Sequence, residues 1–195
     1  MKFHFDPNLD YQVNAIEAVV RLFEGTRVQE TGFRLMAQNG VVGNRLSLPD
    51  DELLANVQAV QRDARLHNGA PLPISSTPQT IASRDFSVEM ETGTGKTYVY
   101  LRTALALNRD YGFRKFIVVV PSVAIREGVL KTLRMTREHF ARLYDNVPYR
   151  FYEYASENLA RVRQFASSND VEIMVMTLDS FNKDTNIFNR RMDRM

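Results

Sequence analysis

The chain of 195 residues contains no cysteine, and its apolar runs are short. Without cysteine, a disulfide framework, thiolate metal ligands and a cysteine nucleophile are all excluded. The longest apolar runs are Phe116–Val120 and Leu101–Leu107, the second broken by Arg102 and Thr103, whereas a membrane-spanning helix needs about 18 apolar residues or more. The N-terminal stretch MKFHFDPNLD has one lysine and no apolar centre, unlike a secretory signal. These absences predict a soluble, intracellular, cytoplasmic protein with no part in the membrane.

A strong excess of charge of one sign is also missing. The chain has 25 Lys and Arg residues against 23 Asp and Glu residues, which gives a formal net charge of +2. Binding to nucleic acid through a large basic surface would require a clear cationic excess. A hydrophobic fraction of 44% with 10% aromatic residues is nevertheless enough to form a packed core, so overall disorder is excluded.

Residues 1–85 predict a mostly helical N-terminal portion. Apolar residues recur at helical spacing between Tyr11 and Phe23, with Asn8 or Asp10 as candidate caps and Gly25 as the stop. A second helix begins at the acidic residues 50–52, which suit a helix N-terminus, and ends at Asn68-Gly69. A small hairpin is expected around residues 33–44. An exposed loop is expected over residues 69–85, which contain three prolines.

Residues 86–195 predict strands that alternate with helices. The expected strands are Phe86–Met90, Lys115–Val120, Tyr149–Tyr154 and Val171–Thr177, and the run KFIVVV is typical of a strand buried on both faces. The expected helices are Thr97–Asn108, one from Ser122 to about Phe140, Glu157–Ala166 with Ser156 as its cap, and a short turn after Thr177. This alternation indicates βα units and an α/β fold with a doubly wound parallel sheet.

The most informative motif is METGTGKT, between the first predicted strand and the helix that follows it. Gly93 and Gly95 allow successive backbone N–H groups to point inwards at phosphate oxygens, and the helix N-terminus adds further donors. Lys96 reaches the β- and γ-phosphates, and the Thr97 hydroxyl is placed to bind Mg²⁺. We therefore expect ATP and Mg²⁺ as ligands, with Thr92, Gly93, Thr94, Gly95, Lys96 and Thr97 in the nucleotide site. Residues 91–95 are called the glycine loop below.

Several segments together resemble the superfamily 2 helicases, and their wording is similar to the Res subunit of type III restriction enzymes. The segments are METGTGKTYVYLRTALALN, VVVPSVAIREGV and VMTLDSFNKDTN, which resemble motifs I, Ia and Ib, and the opening FDPNLDYQVNAIEAVVRLFEG. Met90 stands where the full phosphate-loop pattern has glycine, a departure that favours a helicase-type motor over a kinase. The resemblance implies an incomplete RecA-like sheet at residues 86–195, preceded by a mostly helical portion at residues 1–85.

The resemblance also implies roles for residues outside the glycine loop. Gln12 corresponds to a glutamine that pairs with the edge of adenine, and Phe5 or Tyr11 would stack on the base. Residues 25–85 form an insertion of unknown role between this glutamine and the glycine loop. Motifs Ia and Ib contact the DNA backbone in such motors, which implicates Ser122, Arg126, Thr177 and Lys183. Taken singly, Ser122 is more simply explained as a helix cap and Arg126 as a surface charge.

A complete motor also needs an Asp-Glu pair that orients water at Mg²⁺ and an arginine from a second domain. The only Asp-Glu dipeptide here is Asp51-Glu52, before the glycine loop. We therefore expect an N-terminal fragment of a longer ATP-dependent deoxyribonuclease, and we expect the chain alone to be inactive. By resemblance, the parent acts on DNA together with a modification (Mod) methyltransferase subunit that uses S-adenosylmethionine. Another superfamily 2 motor, or a nucleotide-binding module that does not hydrolyse its ligand, remains an alternative.

Overall fold

A computed structural model of the chain describes residues 5–27, 42–67, 79–155 and 158–182. The chain divides into two compact units, each discontinuous in sequence. The helical unit comprises Asp6–Gln29 and Arg45–Gly112, and the sheet unit comprises Met1–Phe5, Glu30–Asn44 and Phe113–Met195. The predicted division into residues 1–85 and 86–195 stays a prediction.

The helical unit contains α1 (Asp10–Arg21), α2 (Asp50–His67) and α3 (Lys96–Tyr111). α1 packs against α3, and the start of α2 packs on the end of α1. The second contact is apolar and is formed by buried leucine and valine side chains: Leu22, Leu48, Leu53 and Val57. The Asn56 amide donates hydrogen bonds to the carbonyls of Leu22 (3.1 Å) and Glu24 (2.8 Å), so α2 is attached to the C-terminal end of α1.

The two predicted N-terminal helices are confirmed, but the predicted caps of the first are wrong. The N-cap of α1 is Leu9, whose side chain has no oxygen to cap with, and the Asn8 N–H instead donates to the Asp6 carboxylate. Gly25 has the left-handed φ of +89° expected after a helix, although α1 already ends at Arg21. Residues 28–41, which contain most of the predicted hairpin, lie outside the described residues. Of the predicted loop, residues 79–85 are described and are irregular.

The predicted strand Phe86–Met90 is wrong, because this segment joins no strand ladder among the described residues. A strand exists only where a neighbouring backbone accepts and donates its hydrogen bonds, and an alternating apolar pattern cannot supply that neighbour. Phe86 and Val88 are instead 38% and 47% exposed.

The helix predicted after the glycine loop is confirmed as α3. Its side chains between Tyr98 and Leu107 are mostly buried, which explains the apolar composition of this stretch. Gly112 is the C-cap of this helix. Its φ is +72°, and its backbone N–H donates to carbonyls of the last turn.

The sheet unit is built on β1 (Lys115–Val120), β2 (Tyr149–Glu153) and β3 (Val171–Thr177), which lie in the order β1-β3-β2. Both pairings are parallel, with Lys115 opposite Glu172 and Tyr149 opposite Val171. β3 is central and is buried along its whole length. Three of the four predicted strands are therefore confirmed, within one residue at each end.

The helices of this unit are α4 (Val123–Met135), α5 (Arg137–Leu143), α6 (Leu159–Ser167) and α7 (Leu178–Asn182). The single helix predicted from Ser122 to about Phe140 is divided in two at Thr136, which is both the C-cap of α4 and the N-cap of α5. The Thr136 hydroxyl donates to the carbonyl of Thr132 (2.8 Å), a local bond that favours a bend. The N-cap of α6 is Asn158, whose side chain accepts from the N–H of Arg161, whereas Ser156 lies outside the described residues.

The side chains of β1 are more exposed to solvent than the sequence predicts. Ile117 and Val119 are each 41% exposed, so burial on both faces is wrong for this strand. The helix α6 packs Val162 and Phe165 over Met174 and Met176 of the central strand. Parallel strands with helices nevertheless form a mixed α/β arrangement, consistent with an incomplete RecA-like fold. Within the described ranges, no helix is both long enough and apolar enough to cross a membrane.

Candidate nucleotide site

The glycine loop has the backbone geometry that its sequence predicts. Gly93 and Gly95 have φ values of +84° and +85°, in the left-handed region that a side chain disfavours. Gly95 is the N-cap of α3, and Val99 makes the first helical hydrogen bond to its carbonyl. The first N–H groups of α3 have no intrahelical acceptor, so this helix end offers donors and a partial positive charge to an anion.

Two side chains tie the loop onto the carbonyl of Glu91. The Lys96 ammonium donates to that oxygen at 2.7 Å, and so does the Thr94 hydroxyl. Both donors reach the same acceptor, and Lys96 is exposed. An incoming phosphate oxygen would compete with this carbonyl for the ammonium without any rearrangement of α3.

Gln12 on α1 lies against the loop. Its Nε2 donates to the carbonyl of Thr94 at 2.8 Å, although 82 residues separate the two. Gln12 is buried, and a Cβ on Gly95 would lie only 2.7 Å from the same nitrogen. The sequence-predicted residues Gln12, Thr94 and Gly95 are therefore brought together, with the amide facing the backbone of the loop.

Thr97, the predicted magnesium ligand, is half-buried in the first turn of α3. Burial raises the pKa of the nearby Tyr100 hydroxyl, and a hydrogen bond with the Thr97 side chain opposes this rise. The described residues contain no cluster of three or more acidic or histidine side chains suited to a metal. The role of Thr97 as a magnesium ligand stays a prediction. Thr92, the remaining residue of the predicted set, is exposed in the turn.

A cavity of about 1060 Å³ lies beside the glycine loop, entirely within the helical unit. Its walls come from α1, α2 and residues 88–94. Tyr11, one of the two aromatic residues predicted to stack on a base, lines this cavity and is 46% exposed. Phe5, the other, belongs to the sheet unit, where its ring packs on His139 at 5.3 Å.

The sequence did not predict the contribution of α2 to this cavity. Val60 and Asp63 of α2 line it, and Asp63 forms an ion pair with Arg21 of α1 at 2.6 Å. The amphipathic pattern of residues 50–67 predicts a helix but does not indicate which element that helix packs against. An ion pair between residues 42 positions apart cannot be recognised in a single sequence.

The residues predicted to contact DNA lie in the sheet unit. Thr177 is the last residue of β3, and Ser122 comes two residues after the end of β1. The last residues of these neighbouring strands, Val120 and Thr177, are paired, so both hydroxyls lie at the carboxyl edge of the sheet. Each also acts locally. Ser122 accepts the N–H of Ile125, and the buried Thr177 accepts the N–H of Ser180.

Arg126 is engaged by acidic side chains. Its guanidinium pairs with Glu127 at 3.1 Å and Glu153 at 3.0 Å, and only 18% of the side chain is exposed. Contact with a phosphate would have to replace one of these carboxylates. Lys183, the fourth residue of the set, lies outside the described residues.

The chain matches the family described as "Type III restriction enzyme, res subunit" over residues 7–194. The Res subunit of the type III restriction-modification enzyme EcoPI, from Escherichia phage P1, is 32% identical over 146 residues, which are 73% of this chain and 14% of that protein. A Res subunit from Escherichia coli is 32% identical over 143 residues, 71% of this chain and 14% of its own length. The StyLTI Res subunit of Salmonella typhimurium is 48% identical over 64 residues, 32% of this chain and 6% of that protein.

The chain thus spans about one seventh of the length of the first two relatives (14% of each). The family match covers nearly all of the described residues, including the glycine loop, α3 and the whole sheet. This chain belongs to the family of type III restriction enzyme Res subunits.

Proposed function

We propose that the chain is the ATP-binding first part of the motor domain of a type III restriction enzyme Res subunit. The observation that carries the proposal is the glycine loop, with two left-handed glycines, Lys96 above the Glu91 carbonyl and the N-terminus of α3 behind it. The triphosphate would bind to the N–H groups of residues 93–97 and to Lys96, and Mg²⁺ would bind to Thr97.

Gln12 belongs to this proposed site through the loop. Its Nε2 is engaged by Thr94, so its first effect is to hold the loop in the shape that receives phosphate. The Oε1 atom is the part of the amide that an adenine amino group would use. Pairing of Gln12 with adenine stays a prediction.

The parent protein, in this proposal, uses ATP hydrolysis to act on DNA in the cytoplasm and cleaves it together with a modification subunit. The relatives named above are Res subunits of restriction-modification enzymes, which supports this assignment. S-adenosylmethionine would serve the modification subunit and not this chain. Ser122, Arg126, Thr177 and Lys183 are the proposed DNA contacts, and the carboxyl edge of the sheet supports the first and third of them.

The proposed ATP site is tested by titrating the chain with ATP, with and without Mg²⁺, in a calorimeter. Lys96→Ala should abolish the Mg²⁺-dependent binding, because it removes the ammonium that lies 2.7 Å from the Glu91 carbonyl at the glycine loop. Lys131→Ala is the matched control, since Lys131 is exposed on α4. Binding that is indifferent to Lys96 would contradict the proposal.

ATP hydrolysis requires residues beyond those that bind the nucleotide. Because no Asp-Glu pair follows the glycine loop, we expect the chain to bind ATP without turning it over. A steady ATPase rate above background that Lys96→Ala removes would contradict this expectation. It would favour a chain that supplies its own catalytic acid.

A further inference from the structure

The cavity beside the glycine loop has walls of different chemistry. One wall consists of the loop residues Glu91–Thr94, which directly precede the N-terminal end of α3. Another is contributed by α2 and is formed by Val60 and Asp63. A nucleoside triphosphate has the same two-part character, with a charged phosphate chain joined to a neutral base and ribose.

The charged side chains of the cavity do not favour phosphate at its helical walls. Its lining carries four carboxylates but one guanidinium: Glu17, Asp63, Glu89, Glu91 and Arg21. Glu89 and Glu91 belong to the segment at the glycine loop, whereas the other three belong to α1 and α2. Arg21 is already paired with Asp63, so the guanidinium is engaged at the helical walls. A phosphate group gains little there, while a neutral base and ribose need no cation.

The shape and composition of the walls suit a nucleoside. Small and apolar side chains leave room for a flat ring: Ala15, Ala18, Val60, Val88 and Met90. The Asp63 carboxylate uses Oδ2 for Arg21 and is about half exposed, so Oδ1 remains to accept a hydrogen bond from a ribose hydroxyl. The volume of about 1060 Å³ is just above the usual range for small-molecule sites, roughly 300–1,000 Å³, so a nucleotide fits.

The α2 wall is held in place independently of any ligand. The leucine and valine cluster at the end of α1 and the two hydrogen bonds from Asn56 attach α2 to α1. The Arg21–Asp63 ion pair then links the two helices at the cavity itself. The wall is therefore preformed, which reduces the entropic cost of binding.

We propose that α2 forms the nucleoside-binding wall of the triphosphate site, with Val60 contacting the base and Asp63 accepting a hydrogen bond from a ribose hydroxyl. This inference rests on the proposed function and assigns a role to the inserted segment 25–85. The insertion would then determine the affinity for the nucleoside and leave the affinity for the phosphate chain unchanged.

The test compares two magnesium-loaded probes, ATP and inorganic tripolyphosphate, by calorimetry on the purified chain. Val60→Trp should fill the wall and weaken ATP binding about tenfold or more, while tripolyphosphate binding changes less than about twofold. Ala55→Trp is the matched control, because Ala55 is exposed on the same helix and does not line the cavity. Equal weakening of both probes, or of neither, would overturn the inference.

A second variant keeps the inference testable if Val60→Trp disturbs folding. The wild-type chain should bind ATP more tightly than dideoxy-ATP, which lacks both ribose hydroxyls, and Asp63→Ala should remove that difference. An unchanged preference in Asp63→Ala would overturn the role of Asp63. Absence of wild-type binding to both ATP and tripolyphosphate would instead overturn the proposed function, and this inference with it.

Discussion

The side-chain amide of Gln12 donates a hydrogen bond of 2.8 Å to the carbonyl of Thr94, across 82 residues of sequence. This bond joins the first helix of the chain to the glycine loop within one compact unit. It gives Gln12 a structural reason to be glutamine that does not require a bound base.

Substitution of Gln12 should therefore weaken the binding of the phosphate chain and not only that of the base. Gln12→Ala removes a partly buried hydrogen bond worth about 1 kcal/mol and frees the Thr94 carbonyl. We expect the affinities for ATP and for inorganic tripolyphosphate to fall by similar factors in calorimetric titrations. Gln164→Ala, at an exposed position of α6, is the control. A loss confined to ATP would show that Gln12 acts on adenine.

Gly95 should tolerate no side chain. Its φ is +85°, and an added Cβ would approach Nε2 of Gln12 to 2.7 Å. Gly95→Ala should lower the free energy of unfolding by about 1–3 kcal/mol and abolish ATP binding. Gly128→Ala is the contrasting control, since Gly128 lies within α4 with no atom within 4 Å of its added Cβ. Urea unfolding should show it more stable by about 0.5–1 kcal/mol. Equal effects at both positions would contradict the proposed geometry.

Tyr149 should make the stability of the chain fall at alkaline pH. Burial raises the pKa of its hydroxyl above the ordinary value of 10.0, against the opposing charge of Arg137. The contribution to stability is complete below pH 10 and is lost as the pH rises through the native pKa, because the unfolded state ionises first.

Comparison of urea unfolding near pH 8 and near pH 11 checks this behaviour. Tyr149→Phe should reduce the decrease in the free energy of unfolding between the two pH values, whereas Tyr11→Phe, at an exposed position, should not. The Tyr149 hydroxyl has no hydrogen-bond partner among the described residues, so the substitution should cost little stability at neutral pH. An alkaline loss of the same size in Tyr149→Phe and wild type would exclude Tyr149 as its source.

Glu172 should destabilise the sheet unit. It lies on the central strand with 0% exposure, and neither carboxylate oxygen has a hydrogen-bond partner among the described residues. Lys115 lies opposite it on β1, but its ammonium donates to the carbonyls of Ser168 and Asp170 instead. Glu172→Met should raise the free energy of unfolding by about 1–3 kcal/mol, measured with urea.

The control for that substitution is Glu138→Met, at an exposed position of α5, which should change stability by less than about 0.5 kcal/mol. A less stable Glu172→Met variant would mean that the carboxylate is paired in solution. The field of Lys115 would then outweigh the cost of burial.

The sequence predicted the elements of this chain better than their packing. The runs 115–120 and 171–177 are strands, and the motif GTGKT followed by an apolar stretch identified both the loop and α3, because these patterns depend on local chemistry. The segment Phe86–Met90 was not predictable in the same way, since a strand depends on a neighbour that its own residues do not encode. The exposure of Ile117 and Val119 likewise depends on which elements cover β1, and the run KFIVVV does not encode that.

The residues of the candidate site likewise differ in how far the sequence predicts them. Gly93, Gly95, Lys96 and Thr97 could be named from the sequence, because each chemical role requires that residue type at that spacing. The family resemblance pointed to Gln12, but its bond to Thr94 depends on tertiary packing. Val60, Asp63 and Arg21 could not be named, since only the folding of α2 onto α1 brings them beside the loop.

The central claim is that the backbone of residues 93–97 and the Lys96 ammonium bind a triphosphate. The most direct measurement is a ¹⁵N NMR titration of the chain with ATP and Mg²⁺, which reports each backbone amide separately. We predict that the largest shifts occur at Gly93, Gly95, Lys96 and Thr97 and disappear in Lys96→Ala. Shifts that leave these amides unchanged, or that persist at full size in Lys96→Ala, would contradict the claim.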